Sequence, residues 1–143
     1  MNDAYHHALK LLSARDYTTA QLREKLEKKF GRVDEAVIAE LLKRKFLDDR
    51  RVARNLLARK SKFSAEYLRE ELLTKGIDES IISDELQHAT RPSLRDVLNA
   101  TMIDWKLSAP LPQRDIARLF RALSRLGYEE DAIREELEPL HEQ

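Results

Sequence analysis

One pattern recurs three times along this chain and limits what it can fold into. The stretches Gln21-Leu22-Arg23-Glu24-Lys25-Leu26, Tyr67-Leu68-Arg69-Glu70-Glu71-Leu72 and Arg118-Leu119-Phe120-Arg121-Ala122-Leu123 each hold Leu-x-x-x-Leu. The second and third copies then run in step: Gly76 matches Gly127, Ile77 matches Tyr128, Ile82 matches Ile133 and Leu86 matches Leu137. The first copy reaches Ile38 and Leu42 with two extra residues around Gly31. Leu26, Leu72 and Leu123 stand 46 and 51 residues apart. Three copies at such a period mark a helical repeat array. Each copy reads as three short helices that bury too little apolar surface alone, so neighbours must stack. The expected fold is all-α, an elongated array of three tandem three-helix repeats over residues 1–46, 47–90 and 91–143.

Composition agrees with helices. In 143 residues there are only 3 Gly and 4 Pro, and Leu, Ala, Glu, Lys and Arg are good helix formers. Apolar residues recur at spacings of three and four, as in Leu22-Leu26-Phe30, Val37-Ile38-Leu41-Leu42 and Val52-Ala53-Leu56-Leu57. Thr18 followed by Gln21 reads as a capping box. Asp48, Ser64, Asp78 and Ser93 are expected N-caps. Gly76 and Gly127 stand where helices end, and Pro110 and Pro112 mark a connector. About nine helices are expected. Trp105 reads as a core anchor of the third copy, and Glu129-Glu130-Asp131 as the acidic start of the last helix.

The chemistry of most enzyme classes is missing. The glycines at 31, 76 and 127 are isolated, so there is no phosphate-cradling loop. His6 and His7 are adjacent on one helix, and His88 and His141 are isolated, so no metal site is expected. With no cysteine, disulfides and thiolate chemistry are excluded, which fits a reducing cytoplasm. The Asp48-Asp49 pair reads as a helix start, with Asp48 capping and Asp49 in the positive first turn. No cofactor and no catalysis are expected. No apolar run is long enough to cross a membrane, and the N-terminus lacks the features of a secretory signal.

Charge is balanced overall but not along the chain. Residues 1–75 carry 18 basic and 12 acidic side chains, and residues 76–143 carry 8 and 14. Between Lys43 and Lys62 nine basic residues stand against Asp48 and Asp49 alone. On a helix starting after Asp48, Arg50, Arg51 and Arg54 fall within an arc of about 100°. They lie opposite Val52, Ala53 and Leu56. Adjoining like charges cost stability unless an anion arrives, which favours a contact surface for nucleic acid or an acidic protein over a solvated face. The expected contacts are Lys43, Lys45, Arg50, Arg51, Arg54, Arg59 and Lys62. Removing Arg50, Arg51 and Arg54 together is expected to leave the fold intact. Phe46, Phe63 and Tyr67 give only a weak platform for stacking bases.

Three motifs, in order and correctly spaced, resemble the RecX family, bacterial regulators of the RecA recombinase. Leu11-Leu12-Ser13-Ala14-Arg15-Asp16-Tyr17-Thr18 with Gln21-Leu22-Arg23-Glu24-Lys25-Leu26 resembles the family's opening. Phe46-Leu47-Asp48-Asp49-Arg50-Arg51-Val52-Ala53 resembles its Leu-Asp-Asp motif, and Leu68-Arg69-Glu70-Glu71-Leu72-Leu73-Thr74-Lys75-Gly76-Ile77 its second-repeat signature. The likeness spans residues 4 to about 137. Two departures stand out. Arg125-Leu126-Gly127-Tyr128 replaces the common Arg-Gly-Phe, and Lys60-Ser61-Lys62-Phe63 lacks a glycine before its helix. The resemblance implies a monomeric bacterial cytoplasmic modulator without catalysis. Such a protein would bind the RecA–DNA filament, touch single- or double-stranded DNA, and inhibit recombinase, ATPase and coprotease activities. The rival readings from the residues are a nonspecific helical DNA-binding protein and a structural adaptor.

Overall fold

A computed structural model describes residues 3–143. Among them are nine α-helices: α1 (Asp3–Ala14), α2 (Thr19–Phe30), α3 (Glu35–Lys43), α4 (Asp49–Arg59), α5 (Ala65–Thr74), α6 (Glu79–His88), α7 (Leu94–Asp104), α8 (Gln113–Arg125) and α9 (Glu130–Leu137). A 3-10 turn follows at Glu138–Leu140. The described residues hold no β-strand. The only extended pairing among them is a single bridge between Leu111 and His141. The all-α expectation is met.

The helix starts follow from short polar side chains. Thr18 and Gln21 form the expected capping box on α2, and Ser93 forms a second one with Asp96 on α7. Asp48 Oδ1 accepts from the Arg51 amide at 3.2 Å, and Asp78 Oδ1 from the Ser80 amide at 3.0 Å. Each satisfies an amide that the helix leaves without an internal partner. Asp34 caps α3 in the same way, a cap that the sequence pattern did not single out.

The chain divides into two compact units, one of residues up to Arg59 with Arg69–Ala89, the other of Lys60–Leu68 with Thr90–Gln143. In the first unit, Ala8, Tyr17, Leu22, Leu26, Val37, Ile38, Leu41 and Leu47 form one apolar cluster. Leu72, Ile77 and Ile82 are also buried there. Leu42, expected in the same stripe as Leu41, is instead 44% exposed, because α3 turns it away from the cluster that Val37, Ile38 and Leu41 enter. In the second unit, Val97, Leu98, Leu111, Leu119, Leu123, Ile133 and Leu137 form the core. Trp105 packs on its edge, with the Arg118 guanidinium 4.6 Å from the ring centre.

The same joint occurs once in each unit. In the first, the buried Thr18 hydroxyl accepts from the Gln21 amide and donates to the Lys75 carbonyl at 2.6 Å. In the second, the Ser64 hydroxyl accepts from the Tyr67 amide and donates to the Gly127 carbonyl at 2.9 Å. A glycine at positive φ backs each joint, Gly76 at 85° and Gly127 at 90°. A Cβ on Gly76 would stand 2.4 Å from that of Ala20, and one on Gly127 2.6 Å from that of Tyr67. Gly31 also has positive φ, but nothing lies within 4 Å of its would-be Cβ.

These three glycines therefore separate two costs. Gly76→Ala and Gly127→Ala are expected to lower the unfolding free energy by about 2–4 kcal/mol, from backbone strain and forced displacement together. Gly31→Ala should cost only about 1 kcal/mol, from the backbone alone. Denaturant titration of the three variants checks this, and equal losses at all three positions would exclude the close-approach account.

Candidate binding surface

The seven basic residues expected to make contacts do not share one open face. Arg50 and Arg54 project from α4 onto α6. Arg54 Nε donates to Glu85 Oε1 at 2.9 Å, and Arg50 Nη1 donates to Glu85 Oε2 at 3.2 Å and also pairs with Asp84. Arg51 turns back on its own unit. Its guanidinium donates to the Lys45 carbonyl at 2.8 Å and the Phe46 carbonyl at 3.3 Å, and approaches Asp16 Oδ1 at 3.4 Å. The like-charge repulsion expected on α4 is thus relieved inside the protein. The expectation that removing these arginines leaves the fold intact is corrected accordingly: they tie α4 to α6 and to the turn before α4.

The other four residues have a different fate. Lys43, Lys45 and Arg59 are exposed and make no ion pair among the described residues. Lys45 holds φ at 64°, a left-handed position closing the turn after α3. Lys62, in the second unit, lies 4.0 Å from Asp104 with both side chains largely exposed, a separation that contributes little in water. Asp49, read only as a favourable charge at a helix start, has a second role. Its Oδ1 accepts from the Thr19 amide at 2.8 Å and from the Thr19 hydroxyl at 3.1 Å, linking the starts of α4 and α2.

Glu85 is the residue that the sequence reading missed. It is a glutamate only 8% exposed, three residues after the fully buried Ile82 and hence on the same helix face. That spacing is the signal that could have found it. Hydrogen bonding from Arg54 holds its carboxyl below the usual carboxylate range, burial pushes against this, and Arg50 adds to the lowering. A carboxyl whose pKa is lower folded than unfolded adds stability above the ordinary carboxylate range. It loses that stability as the pH falls through the folded value.

Cations that the sequence reading left out gather beside Arg59. A cleft of about 300 Å³ in the first unit is lined by Arg15, Asp16, Gln21, Val52, Asn55, Leu56, Arg59 and Lys75. Arg15, Arg59 and Lys75 come from the turn after α1, the end of α4 and the end of α5, so no sequence window contains them together. Among the described residues no group of three or more His, Asp or Glu could hold a metal ion. Among the described residues no helix is long and apolar enough to cross a membrane.

The crystal structure of RecX from Lactobacillus salivarius superposes with a TM-score of 0.71 over 96% of this chain and 94% of that one, at 19% identity. The fold is therefore shared with that solved structure. The model of the first three-helix domain of RecX matches residues 4–44. Regulatory protein RecX of Trichlorobacter lovleyi is 32% identical, covering 94% of this chain and 93% of its own length. That of Leptothrix cholodnii is 30% identical over 91% of this chain and 84% of its own length. That of Thermus thermophilus is 34% identical over 62% and 63%. The class these define is a helical regulatory protein. The chain belongs to the RecX family.

Neutralising the buried glutamate tests the α4–α6 tie. Glu85→Gln should lower stability at pH 6 by about 1–3 kcal/mol, less than for a fully buried pair because the arginines are half-exposed. Between pH 6 and pH 3 the gap between wild type and variant should close, since only the wild type loses a favourable ionisation there. Thermal unfolding at several pH values measures both effects, and parallel pH profiles would remove Glu85 from the account.

Proposed function

We propose that this chain is a non-catalytic regulator that binds the RecA–DNA filament and inhibits its recombinase, ATPase and coprotease activities. The observation that carries this reading is the near end-to-end match to a regulatory protein RecX at 32% identity. Family membership supports a recombinase partner, and the charge pattern supports the type of contact. Of the seven candidate cations, Lys43, Lys45, Arg59 and Lys62 keep charge available for a partner. Arg50, Arg51 and Arg54 spend theirs on internal carboxylates and carbonyls. In this reading the chain engages the filament as three tandem repeats, 1–46, 47–90 and 91–143, and acts as a monomer in the bacterial cytoplasm. The recurrence of the hydroxyl joint at Thr18 and Ser64, 46 residues apart like Leu26 and Leu72, supports that division.

The partner, rather than the charge alone, decides between this reading and a nonspecific DNA-binding protein. At physiological salt the protein should co-sediment with recombinase filaments far better than with bare DNA, and should slow filament ATP hydrolysis. Lys43→Ala/Lys45→Ala/Lys62→Ala should weaken that inhibition about tenfold, equivalent to about 1.4 kcal/mol, with an unchanged melting temperature. Equal retention on bare DNA and on filament would defeat the regulator reading.

A further inference from the structure

Two clefts of the first unit flank Arg15 and gather positive charge that no internal carboxylate takes up. The larger, about 300 Å³, brings together Arg15, Arg59 and Lys75. The smaller, about 190 Å³, shares Arg15 and Gln21 with it and adds Lys25 and Lys28. Two carboxylates border these clefts, Asp16 and Glu24. Asp16 already has a cation, Arg51, at 3.4 Å. None of the five cations lining the clefts forms an ion pair among the described residues. This is the opposite of Arg50 and Arg54, whose charges are matched by α6.

We propose that these paired clefts form a site for the phosphodiester backbone of a single nucleic acid strand. The donors are partly preorganised. Arg15 Nε donates to the Asp16 carbonyl at 3.3 Å, and its guanidinium lies 4.4 Å from the Tyr17 ring centre. Stacking and this one bond fix the plane of the guanidinium while leaving its two terminal nitrogens to bind an anion. A guanidinium so placed suits phosphate oxygens better than a mobile ammonium does. Gln21 accepts the Thr18 amide through Oε1, which leaves its side-chain amino group as a donor. Asn55 adds an exposed amide.

The form of the site narrows its ligand. Two recesses joined through Arg15 suit a chain of charges in line, whereas a lone phosphate would use one of them. A recess this small admits the backbone of one strand, while a duplex or a folded acidic protein would meet only its rim. Bases find no platform there, because Tyr17 is 9% exposed and Arg15 covers its ring. Binding should therefore be blind to sequence and steeply dependent on salt. This inference goes beyond the filament reading and does not rest on it, because the strand can be tested without recombinase.

The test is fluorescence anisotropy of a labelled oligothymidylate strand with the whole chain, over a potassium chloride series. Three lost phosphate contacts at about 0.7 each should take roughly two units off the log–log salt slope in Arg15→Gln/Arg59→Gln/Lys75→Gln. The matched variant Lys106→Gln/Arg114→Gln/Arg125→Gln, which removes the same charge from the second unit, should keep the wild-type slope. Melting temperatures of both variants guard against misfolding. No binding by the wild-type protein at low salt, or equal losses in the two variants, would overturn the proposal. So would displacement of the strand by inorganic phosphate or polyglutamate at matched ionic strength, which would point to a free anion or a carboxylate surface. Failure of filament binding with these results intact would count against the regulator reading alone.

Discussion

A hydroxyl oxygen can accept and donate at once, and the arrangement of this chain depends on two that do both. Thr18 and Ser64 each take a backbone amide from the first turn of the helix they precede and give a hydrogen to a carbonyl just past the end of another helix. Both termini have orphan groups, amides at one and carbonyls at the other. One side chain satisfies a member of each. Thr18 is fully buried, so without its hydroxyl the Lys75 carbonyl would lose a partner where water cannot replace it. Gly76 beside one acceptor and Gly127 as the other allow the backbones to approach, and the same atom that closes a helix start fixes where a second helix ends.

Half of that joint can be read from the sequence. The Thr18–Gln21 box and the helix-ending glycines are local patterns, and so are the helices they bound. The acceptor is not local, since Lys75 lies 57 residues from Thr18. The same distinction governs the candidate site. The cationic arc of α4 follows from helical spacing, but what faces it depends on α6, more than 30 residues away. Asp84 and Glu85 were visible as acids of an ordinary amphipathic helix. Only the fold shows that Glu85 lies between two arginines. Leu42 illustrates a smaller limit: α3 buries Val37, Ile38 and Leu41, and periodicity alone did not show that Leu42 falls outside that face.

The two kinds of basic residue are put to different uses. Arginine, with a planar fork of donors, makes the internal contacts: Arg50 and Arg54 reach Glu85, Arg23 reaches Glu35 in a two-pronged pair, and Arg69 reaches Glu79. Lysines 25, 28, 43, 45 and 75 stay without a carboxylate among the described residues. A guanidinium forks onto a carboxylate where an ammonium offers only a point charge. The internal frame is thus built mainly from arginine, and lysine supplies most of the charge left for a partner. The excess of basic residues in the first half of the chain is therefore larger than the charge it presents.

The joint also has a direction. Each hydroxyl stands at the start of one copy's middle helix and reaches the end of the corresponding helix in the next, from α2 to α5 and from α5 to α8. The start of α8 breaks the series. Its N-cap is Pro112, which makes no side-chain capping bond. A proline has neither a hydroxyl nor an amide hydrogen to offer. Duplicating the α7–α9 segment would therefore not reproduce the joint, because Pro112 would offer no hydroxyl to the carbonyl that follows the incoming helix. Changing that one position to serine or threonine is the smallest edit that would supply the missing link.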